Sequence, residues 1–357
     1  CSENGALAAL IRIREAVDSD RERWDSFVLA HPMCGPYHLF AWKQAVEKAY
    51  YHTGLYLIAE DGQGSIQGVF PLILMKPPFL KAVLVSLPFC DYGGILCSNS
   101  EAIDRLIRHA IDLASQHKAK LDIRCMKALP LLQESRSFSV SNHKSRMILD
   151  LPESSEALWS SFKSKLRSQI RKPWKEGLTF QMGSSELIES FYLVFSRNMK
   201  DLGSPVHAKK WFQAVLDAHG ERAHVGVVSR QDMPVAAGIV LNCRHTVSIP
   251  WASTLREYNS LSPNMLLYWG FLEYASSNGF RSFDFGRSTP DEGTYRFKEQ
   301  WGARPETLFW YTLGEKTQGQ FSSSNSGTRK IAEKAWSSLP QTVADRLGPV
   351  VRKFISL

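Results

Sequence analysis

The stretch SPNMLLYWGFLEYASSNGFRSFDFGRS, residues 262–288, contains the pattern on which the predicted fold rests. Its first part is apolar and helical in character, with Ser262 expected as N-cap, Pro263 at the first helical position and Gly279 as the C-terminal stop. The second part, FRSFDFG at 280–286, is typical of a strand. We therefore predict a helix that leads directly into a strand.

Three strand-like segments precede this helix, and the first two flank a turn. They are AHVGVVS (223–229), VAAGIVLNC (235–243) and TVSIPWAS (246–253). Together with the helix and the strand after it, they predict a mixed α/β unit in the second half of the chain.

The first half of the chain repeats this order of elements. Its predicted elements are strands at 55–60 and 66–74, a helix at 101–117 and a strand at 120–125. LDIR at 121–124 and FDFG at 283–286 hold equivalent places in the two halves, in pattern but not in identity. We therefore predict a duplicated α/β unit.

The two predicted units meet near residue 150, where LDLPESSEALW has the character of a boundary. We expect an N-terminal domain at 1–150, a C-terminal domain at 151–314, a polar linker at 315–327 and a basic amphipathic helical tail at 328–357. The tail carries six positive and two negative charges, net +4. It favours peripheral contact with an anionic membrane, and a helix pair docked on the body is the alternative.

Composition excludes several classes of protein. The 357 residues are 44 % hydrophobic and 22 % charged, and the formal net charge of +8 favours anionic partners. None of the six cysteines forms a CxxC pair or lies at zinc-ligand spacing with a histidine, so we expect reduced thiols, no metal and a cytoplasmic setting. Residues 1–25 are too charged for a signal peptide, and the most apolar stretch is too interrupted to span a bilayer.

A basic segment, SFKSKLRSQIRKPWKEG at 161–177, carries six positive charges and no acid from Lys163 through Lys175. On a helix, Lys163, Arg167 and Arg171 form a basic stripe beside an apolar one. The solvated face of an amphipathic helix explains this pattern, and so does a platform for phosphate or tRNA. The absence of a compensating acid over two turns favours the platform.

Polar side chains are dense in DFGRSTPDEGTYRFKEQWGA, residues 284–303. We expect Asp284 at the C-terminal end of a strand, where ligands bind in open α/β sheets, with Arg287 and Ser288 near the same crevice. Asn264 lies in the first turn of the long helix, and helix N-termini bind anions readily, although capping alone accounts for this residue.

The same segment then predicts a short helix that places Tyr295 and Lys298 three residues apart, with Trp301 three further on. A phenol, a mobile cation and a stacking surface suit a phosphorylated or acylated substrate. Alternatively, Tyr295 and Trp301 close the domain while Arg296 and Lys298 keep their charges in water.

These motifs match a known family. FDFGRSTPDEGTYRFKEQWGA resembles the signature of FemAB-like proteins, which belong to the GNAT-fold acyltransferase group. KSKLRSQIRKPWKEGL, FSRNMKDLGSPVH and the stretch quoted first agree with it, so the resemblance covers most of residues 150–312. The sequence is most similar to the FemAB-like subgroup associated with exosortase and PEP-CTERM systems, as is its tail ending RLGPVVRKFISL.

The resemblance implies an α/β (α+β) fold of two tandem GNAT-like domains, each a mixed, mostly antiparallel sheet flanked by helices. It also implies transfer of an acyl or aminoacyl group to an amine on a cell-wall or exopolysaccharide precursor, in the cytoplasm or at the inner face of the membrane. The acceptor would be phosphorylated or glycan-linked. The chain lacks the coiled-coil insertion for tRNA and the acetyl-CoA loop [QR]xxGx[GA]. The donor is therefore an aminoacyl-tRNA, an acyl-CoA or an acyl carrier protein, and the sequence does not choose among them. No tightly bound cofactor is expected.

By this resemblance, Lys298 corresponds to the lysine that contacts substrate phosphate in the family. Asp284 is expected to orient or deprotonate the amine, or else to pair structurally with Arg287. Both Asp284 and Lys298 are assigned as catalytic. The residues assigned to substrate binding are Arg167, Arg171, Asn264, Arg287, Ser288, Tyr295, Arg296 and Trp301. The competing hypotheses are a non-catalytic binding protein of an exopolysaccharide or exosortase assembly system, and an RNA-binding module.

Overall fold

The computed structural model describes residues 11–314 and 326–357, and for 326–330 the backbone alone. The linker predicted at 315–327 lies outside these residues except for its last two, which belong to a helix. The strands are β1 (Arg12–Glu15), β2 (Thr53–Gly54), β3 (Leu57–Glu60), β4 (Ile66–Phe70), β5 (Ile73–Met75), β6 (Val83–Val85), β7 (Leu96–Cys97), β8 (Lys120–Cys125), β9 (Phe138–Ser141), β10 (Ser145–Asp150), β11 (Leu178–Gly183), β12 (Ala223–Arg230), β13 (Met233–Cys243), β14 (Thr246–Thr254), β15 (Ser282–Ser288), β16 (Arg304–Thr307) and β17 (Phe309–Leu313). The helices are α1 (Arg21–Ala30), α2 (Phe40–Tyr50), α3 (Ser100–Gln116), α4 (Pro130–Gln133), α5 (Ser155–Ser161), α6 (Ser164–Lys175), α7 (Ile188–Asp201), α8 (Lys209–His219), α9 (Pro263–Ser277), α10 (Gly293–Glu299), α11 (Ser326–Ser337) and α12 (Gln341–Arg352).

The strands form three mixed or antiparallel sheets. One has seven strands in the order β11-β12-β13-β14-β15-β10-β16, one has six in the order β2-β5-β6-β8-β17-β9, and one has four in the order β1-β3-β4-β7. Within the part of the chain that the structure describes, β6–β8 and β14–β15 pair in parallel and the other pairs are antiparallel. These are the mixed, mostly antiparallel sheets expected from the sequence.

The two parallel pairs confirm the duplication. In each half a long helix lies between the two strands of the pair, α3 between β6 and β8, and α9 between β14 and β15. A parallel pair needs such a crossover because the chain must return to the same end of the sheet. LDIR and FDFG lie in β8 and β15, the strands that follow these helices, and so hold equivalent places as predicted.

The two halves exchange one strand each. β10 pairs with β15 and β16 in the seven-stranded sheet, whereas β17 pairs with β8 and β9 in the six-stranded sheet. The sheets therefore do not divide at residue 150. Strand pairing uses backbone groups that every residue carries, so composition near residue 150 could not indicate which sheet each strand joins.

An aromatic core joins the two domains. Trp42 on α2 lies edge-on to Trp211 on α8, with ring centroids 5.2 Å apart, and stacks on Trp251 of β14 at 6.2 Å. Trp42 and Trp211 are fully buried and Trp251 nearly so. Large aromatic side chains contribute much of the burial energy of a core, so the domains are held together by packing as well as by the exchanged strands.

Ser262 lies at the N-cap position of α9 as predicted, but its side chain does not cap the helix, and the predicted place of Asp284 at the end of a strand is wrong. Ser262 has a φ of 57° and makes no capping hydrogen bond through its side chain, since the chain enters α9 from the 3-10 turn Arg256–Leu261. Asp284 lies inside β15 and not at its end, because pairing with β10 extends the strand to Ser288. Pro263 and Gly279 have the predicted positions at the start and just after the end of α9.

The tail docks on the body through α12. This helix packs against α7, with Ala344 and Gly348 buried, and a Cβ at Gly348 would lie 2.9 Å from the backbone nitrogen of Val206. The alternative of docked helices therefore holds for α12. In the described ranges, no helix combines the length and the apolar character needed to cross a membrane.

Candidate active site

A gap opens in the seven-stranded sheet between β14 and β15. The two strands pair only from Thr246 to Ser248, against Ser282 to Asp284. Beyond that point β14 stays paired with β13, while β15 stays paired with β10. The strands therefore diverge, and the backbone of β15 after Asp284 is available to other partners on that side.

A loop of the N-terminal domain, residues 86–94, enters this gap. Asp91 Oδ2 accepts a hydrogen bond from the Arg287 backbone nitrogen at 2.9 Å, and Tyr92 donates its hydroxyl to Asp284 Oδ2 at 3.4 Å. In the same loop Leu87 and Phe89 are buried with φ values of 80° and 67°. Such conformations cost free energy for residues other than glycine and persist only where the surroundings impose them. The site is therefore built by both domains.

Asp284 is the buried acid of the site, with 2 % of its surface exposed. Its Oδ1 accepts a hydrogen bond from the Gly286 backbone nitrogen at 2.8 Å, and its Oδ2 lies 3.6 Å from the Arg146 guanidinium. Burial raises the pKa of the Asp284 carboxyl, and the nearby Arg146 opposes this change. The alternative pairing of Asp284 with Arg287 does not occur, since Arg287 pairs with Asp91.

Lys298 on α10 is the buried cation of the site, 7 % exposed. Its ammonium donates to the carbonyl oxygens of Gly286 at 3.1 Å and Arg287 at 2.7 Å. Burial lowers the pKa of Lys298 to about 8, although Asp91 and Asp284 oppose this change. An ammonium has three donors, and no described residue accepts the third.

Arg287 lies between Asp91 and an aromatic ring. Its Nε is 3.4 Å from Asp91 Oδ1, and its guanidinium lies 5.7 Å from the Trp310 ring centroid. The Trp310 indole in turn donates to the Asp91 carbonyl at 3.1 Å. Nη1 of Arg287 is buried and has no hydrogen-bond partner among the described residues. This side chain therefore keeps one buried donor for a ligand.

A cavity of about 240 Å³, which we call the interdomain cavity, opens beside Asp91 and Arg287. Its other walls come from α7, from the second half of β14 and from the tail residues Arg352 and Leu357. His207 also lines it, and its buried Nε2 has no partner within the described residues. The cavity thus brings together charged groups from both domains and from the tail.

Trp301 is packed in the core of the C-terminal domain. It is 1 % exposed, and its ring centroid lies 5.6 Å from that of Phe162 and 6.3 Å from that of Phe297. Tyr295 is half-buried against the same core. Both residues therefore pack in the core, as the alternative expects, while Trp301 also lines a cavity beside α6. Arg296, in contrast, is exposed.

The remaining sequence-predicted residues lie in two places. Ser288 is buried opposite Ser145 of β10, and its hydroxyl has no described partner. Asn264 lines a second groove, between α6, α9 and α10, which we call the α6 groove. Two cavities of about 400 and 390 Å³ form it, and they share Gln169 and Gln300.

The basic helix borders this second groove. Lys163 and Lys165 line it, whereas Arg171 is exposed with its guanidinium 5.1 Å from the Trp159 ring centroid. Arg167 is half-buried and does not line either cavity. Among residues 11–314 and 331–357, none lines both the α6 groove and the interdomain cavity. The residues predicted from sequence therefore divide between two sites.

Sequence reasoning missed Asp91, Tyr92, Arg146 and Arg352. The segment FCDYGG, residues 89–94, carried one signal, an acid followed by two glycines after an apolar run. Arg146 lies within a strand, and Arg352 lies in a tail that carries five other positive charges, so neither was distinctive. Among the residues that the structure describes, no group of three or more His, Cys, Asp or Glu side chains is placed to hold a metal ion.

Comparison with known proteins agrees with this architecture. A family model of an acetyltransferase (GNAT) domain matches residues 160–299. A lipid II:glycine glycyltransferase of Staphylococcus aureus is 24 % identical over 225 residues, which are 57 % of this chain and 52 % of that protein. The chain therefore spans about half the length of the curated relatives that it matches.

Two solved structures share the fold over most of the chain. The crystal structure of FemX has a TM-score of 0.66 at 17 % identity and covers 84 % of this chain and 96 % of its own. A tandem GNAT protein from the clavulanic acid biosynthesis pathway has a TM-score of 0.54 at 12 % identity and covers 87 % and 100 %. At these identities the likeness concerns the fold alone.

Proposed function

We propose that this chain, a FemAB-like protein of GNAT fold with two tandem GNAT-like domains, is an aminoacyltransferase or N-acyltransferase. It would transfer an acyl or aminoacyl group from an activated donor to an amine on a cell-wall precursor. The observation that carries this proposal is the interdomain cavity, where Asp91 and Arg287 meet beside the buried Asp284 and Lys298.

The proposed reaction is attack of the acceptor amine on the carbonyl carbon of the donor. The new C–N bond forms as the carbonyl oxygen becomes an oxyanion. Collapse of that intermediate breaks the bond to the donor's leaving oxygen or sulfur, which takes up the proton released by the amine. Much of the rate would come from holding the two substrates in place, and the rest from stabilising the oxyanion.

We assign separate roles to the two carboxylates. Asp91 lines the cavity, so it is placed to orient the amine and to accept its proton. Asp284 is buried behind it and contacts Arg146 and Tyr92, so it acts as a positioning residue. Lys298 holds the backbone that carries Arg287, and its third donor is available for the oxyanion.

We place the activated donor along the α6 groove. Lys163 and Lys165 at its rim, and Asn264 at the start of α9, suit an anionic donor chain. Aminoacyl-tRNA, acyl-CoA and acyl carrier protein all have such a chain. We further propose that the enzyme acts in an exopolysaccharide or PEP-CTERM system.

A cytoplasmic enzyme that meets the inner face of the membrane fits a lipid-linked acceptor. The outward face of α12 presents Val343, Leu347 and Val350, between 36 and 59 % exposed, next to the exposed Arg346. Apolar side chains beside a cation suit an anionic lipid surface. We therefore propose that α12 makes peripheral contact with the membrane.

A paired substitution on α10 tests the function. The purified protein would be assayed for transfer from each of the three donor classes to a lipid II-type acceptor. Lys298→Ala should lower turnover by about 10²-fold or more, since it removes a charge next to the reacting atoms. Arg296→Ala changes an exposed cation on the same helix and should leave turnover near that of the wild type. Equal losses in both variants, or no transfer from any donor by the folded protein, would overturn the proposal.

The exposed charges of α6 favour a second candidate, an RNA-binding module. Lys163, Lys165, Arg171 and Lys172 are exposed, and no acid lies between them. Tight binding of deacylated tRNA with a steep salt dependence, in a protein that transfers nothing, would favour this candidate.

A further inference from the structure

Two cysteines from different domains are in contact. Cys34 lies between α1 and α2, and Cys243 is the last residue of β13. The Cys243 thiol donates a hydrogen bond to Cys34, with the two Sγ atoms 3.5 Å apart. Among residues 11–314 and 331–357, no other two thiols are in hydrogen-bond contact. A disulfide bond is about 2 Å long, so closing one here needs a movement of about 1.5 Å.

The surroundings give these two thiols different reactivity. Cys34 is half-buried, whereas Cys243 is 1 % exposed. The hydrogen bond from Cys243 lowers the pKa of Cys34, Arg244 adds to this effect, and burial opposes it. The same hydrogen bond and burial raise the pKa of Cys243. Cys34 is therefore the thiol that ionises and meets a small oxidant first, while Cys243 keeps its proton.

The segment that carries Cys34 packs against the loop at residues 86–94, which helps to build the candidate active site. A Cβ at Gly35 would lie 2.5 Å from the Tyr92 ring, so backbone and ring are in close contact there. The Tyr92 hydroxyl in turn donates to Asp284. Close-packed interiors transmit displacements, so a movement of Cys34 toward β13 also moves the contact with Tyr92.

We propose that Cys34 and Cys243 form a reversible disulfide when the protein meets a hydroperoxide, and that this bond displaces the loop at residues 86–94. With hydrogen peroxide, the Cys34 thiolate attacks one oxygen, the O–O bond breaks, and the other oxygen leaves as hydroxide and is protonated to water. Cys34 is then a sulfenic acid. Cys243 Sγ attacks Cys34 Sγ, the S–O bond breaks, and the hydroxyl leaves as water with the Cys243 proton. The two sulfurs together lose two electrons, which the peroxide accepts.

This modification site goes beyond the proposed transfer reaction, in which neither cysteine takes part. The bond would join the N-terminal domain to the C-terminal domain across 209 positions of the sequence. Such a link restricts the unfolded chain, so the oxidised protein should unfold at a higher denaturant concentration than the reduced protein.

Mass spectrometry of the whole chain treated with hydrogen peroxide tests the disulfide. After alkylation of the remaining thiols and proteolysis, the wild type should give a peptide pair joined through Cys34 and Cys243, which dithiothreitol separates. Cys243→Ser should give no such pair, and its Cys34 should stop at the sulfenic acid, which dimedone traps. Cys97→Ser is the matched control, because Cys97 is also half-buried but has no thiol in contact within the described ranges. It should form the joined pair as the wild type does.

Hydrogen exchange tests the displacement of the loop. Backbone amides of residues 86–94 should exchange about fivefold faster in the disulfide form than in the reduced wild type, the change that corresponds to losing one hydrogen bond. Cys243→Ser treated with the same peroxide should keep the exchange rates of its untreated form.

Three results would overturn the proposal. Dimedone labelling of Cys34 in the wild type without the joined peptide would refute the disulfide, and so would a Cys34 that is neither labelled nor joined. Unchanged exchange of residues 86–94 in the disulfide form would refute the displacement. Both decisions rest on the wild type, so they stand even if Cys243→Ser fails to fold. No acyl donor is used, so these results are independent of whether the protein is a transferase.

Discussion

Replacing Lys298 with methionine would measure how strongly the fold opposes the charge of this lysine. The ammonium is 7 % exposed and donates to two backbone carbonyls of β15. Methionine has similar length and no charge, so it fills the space while removing both the charge and its two hydrogen bonds. The wild type and the variant should then differ in stability by an amount that depends on pH.

The size and sign of that dependence follow from the pKa of Lys298. Burial lowers it from 10.5 to about 8, which corresponds to about 3 kcal/mol. Between these two values the unfolded chain binds a proton that the folded chain has released, so stability rises with pH. The wild type should gain about 2–3 kcal/mol from Lys298 between pH 7 and pH 10, and the variant should not.

Urea unfolding of both proteins at intervals from pH 7 to pH 10 would measure this difference. Other groups titrate in this range, but they do so in both proteins and cancel in the comparison. Lys175→Met, at an exposed lysine of α6, is the control and should follow the wild type at every pH. Parallel curves for the wild type and Lys298→Met would refute the description of Lys298 as a buried amine with a lowered pKa.

Three further predictions concern the two sites and the core. Asp284→Asn removes one of the two carboxylates that pair with Arg146, since Glu306 remains, and should lower the free energy of unfolding by about 1–3 kcal/mol in denaturant titrations; an unchanged value would contradict the buried pair. Trp42→Ala removes the ring that joins the two domains, and calorimetry should show a loss of about 3–5 kcal/mol with one shared transition, not two. Charge reversal of Lys163 and Lys165 should weaken tRNA binding and reduce its salt slope by about 1 per lysine, and an unchanged slope would remove the α6 groove as the donor site.

The elements of the fold were predictable because their signals are local. Apolar periodicity predicted α3, start and stop residues predicted α9, and the position of each helix before a strand led to the duplication. The same local signals misplaced Asp284, because the extension of β15 depends on β10, which is distant in sequence. Ser262 has the predicted N-cap position, but the preceding 3-10 turn sets its backbone conformation and its side chain makes no capping hydrogen bond.

The candidate site was predictable only in part. The density of polar groups after residue 284 pointed to Arg287 and Lys298, which do meet at the divergence of β14 and β15. Neighbouring residues do not distinguish a side chain that lines a pocket from one that packs in the core, and Trp301 does both, because it is buried and also lines the α6 groove. The loop that carries Asp91 comes from the other domain, nearly two hundred residues earlier.

The sequence by itself determined the two α/β units, the basic α6 and the residue types available for chemistry, because periodicity, charge and motif spacing are properties of neighbouring residues. Only the tertiary structure decided that β10 and β17 exchange sheets, that Asp91 lies against Arg287, and that the tail brings Arg352 into the interdomain cavity. Those contacts depend on backbone pairing and burial between segments far apart in the chain. The free energy of burial and of backbone pairing between distant segments depends on the whole folded chain, so the composition of a single segment does not indicate these contacts.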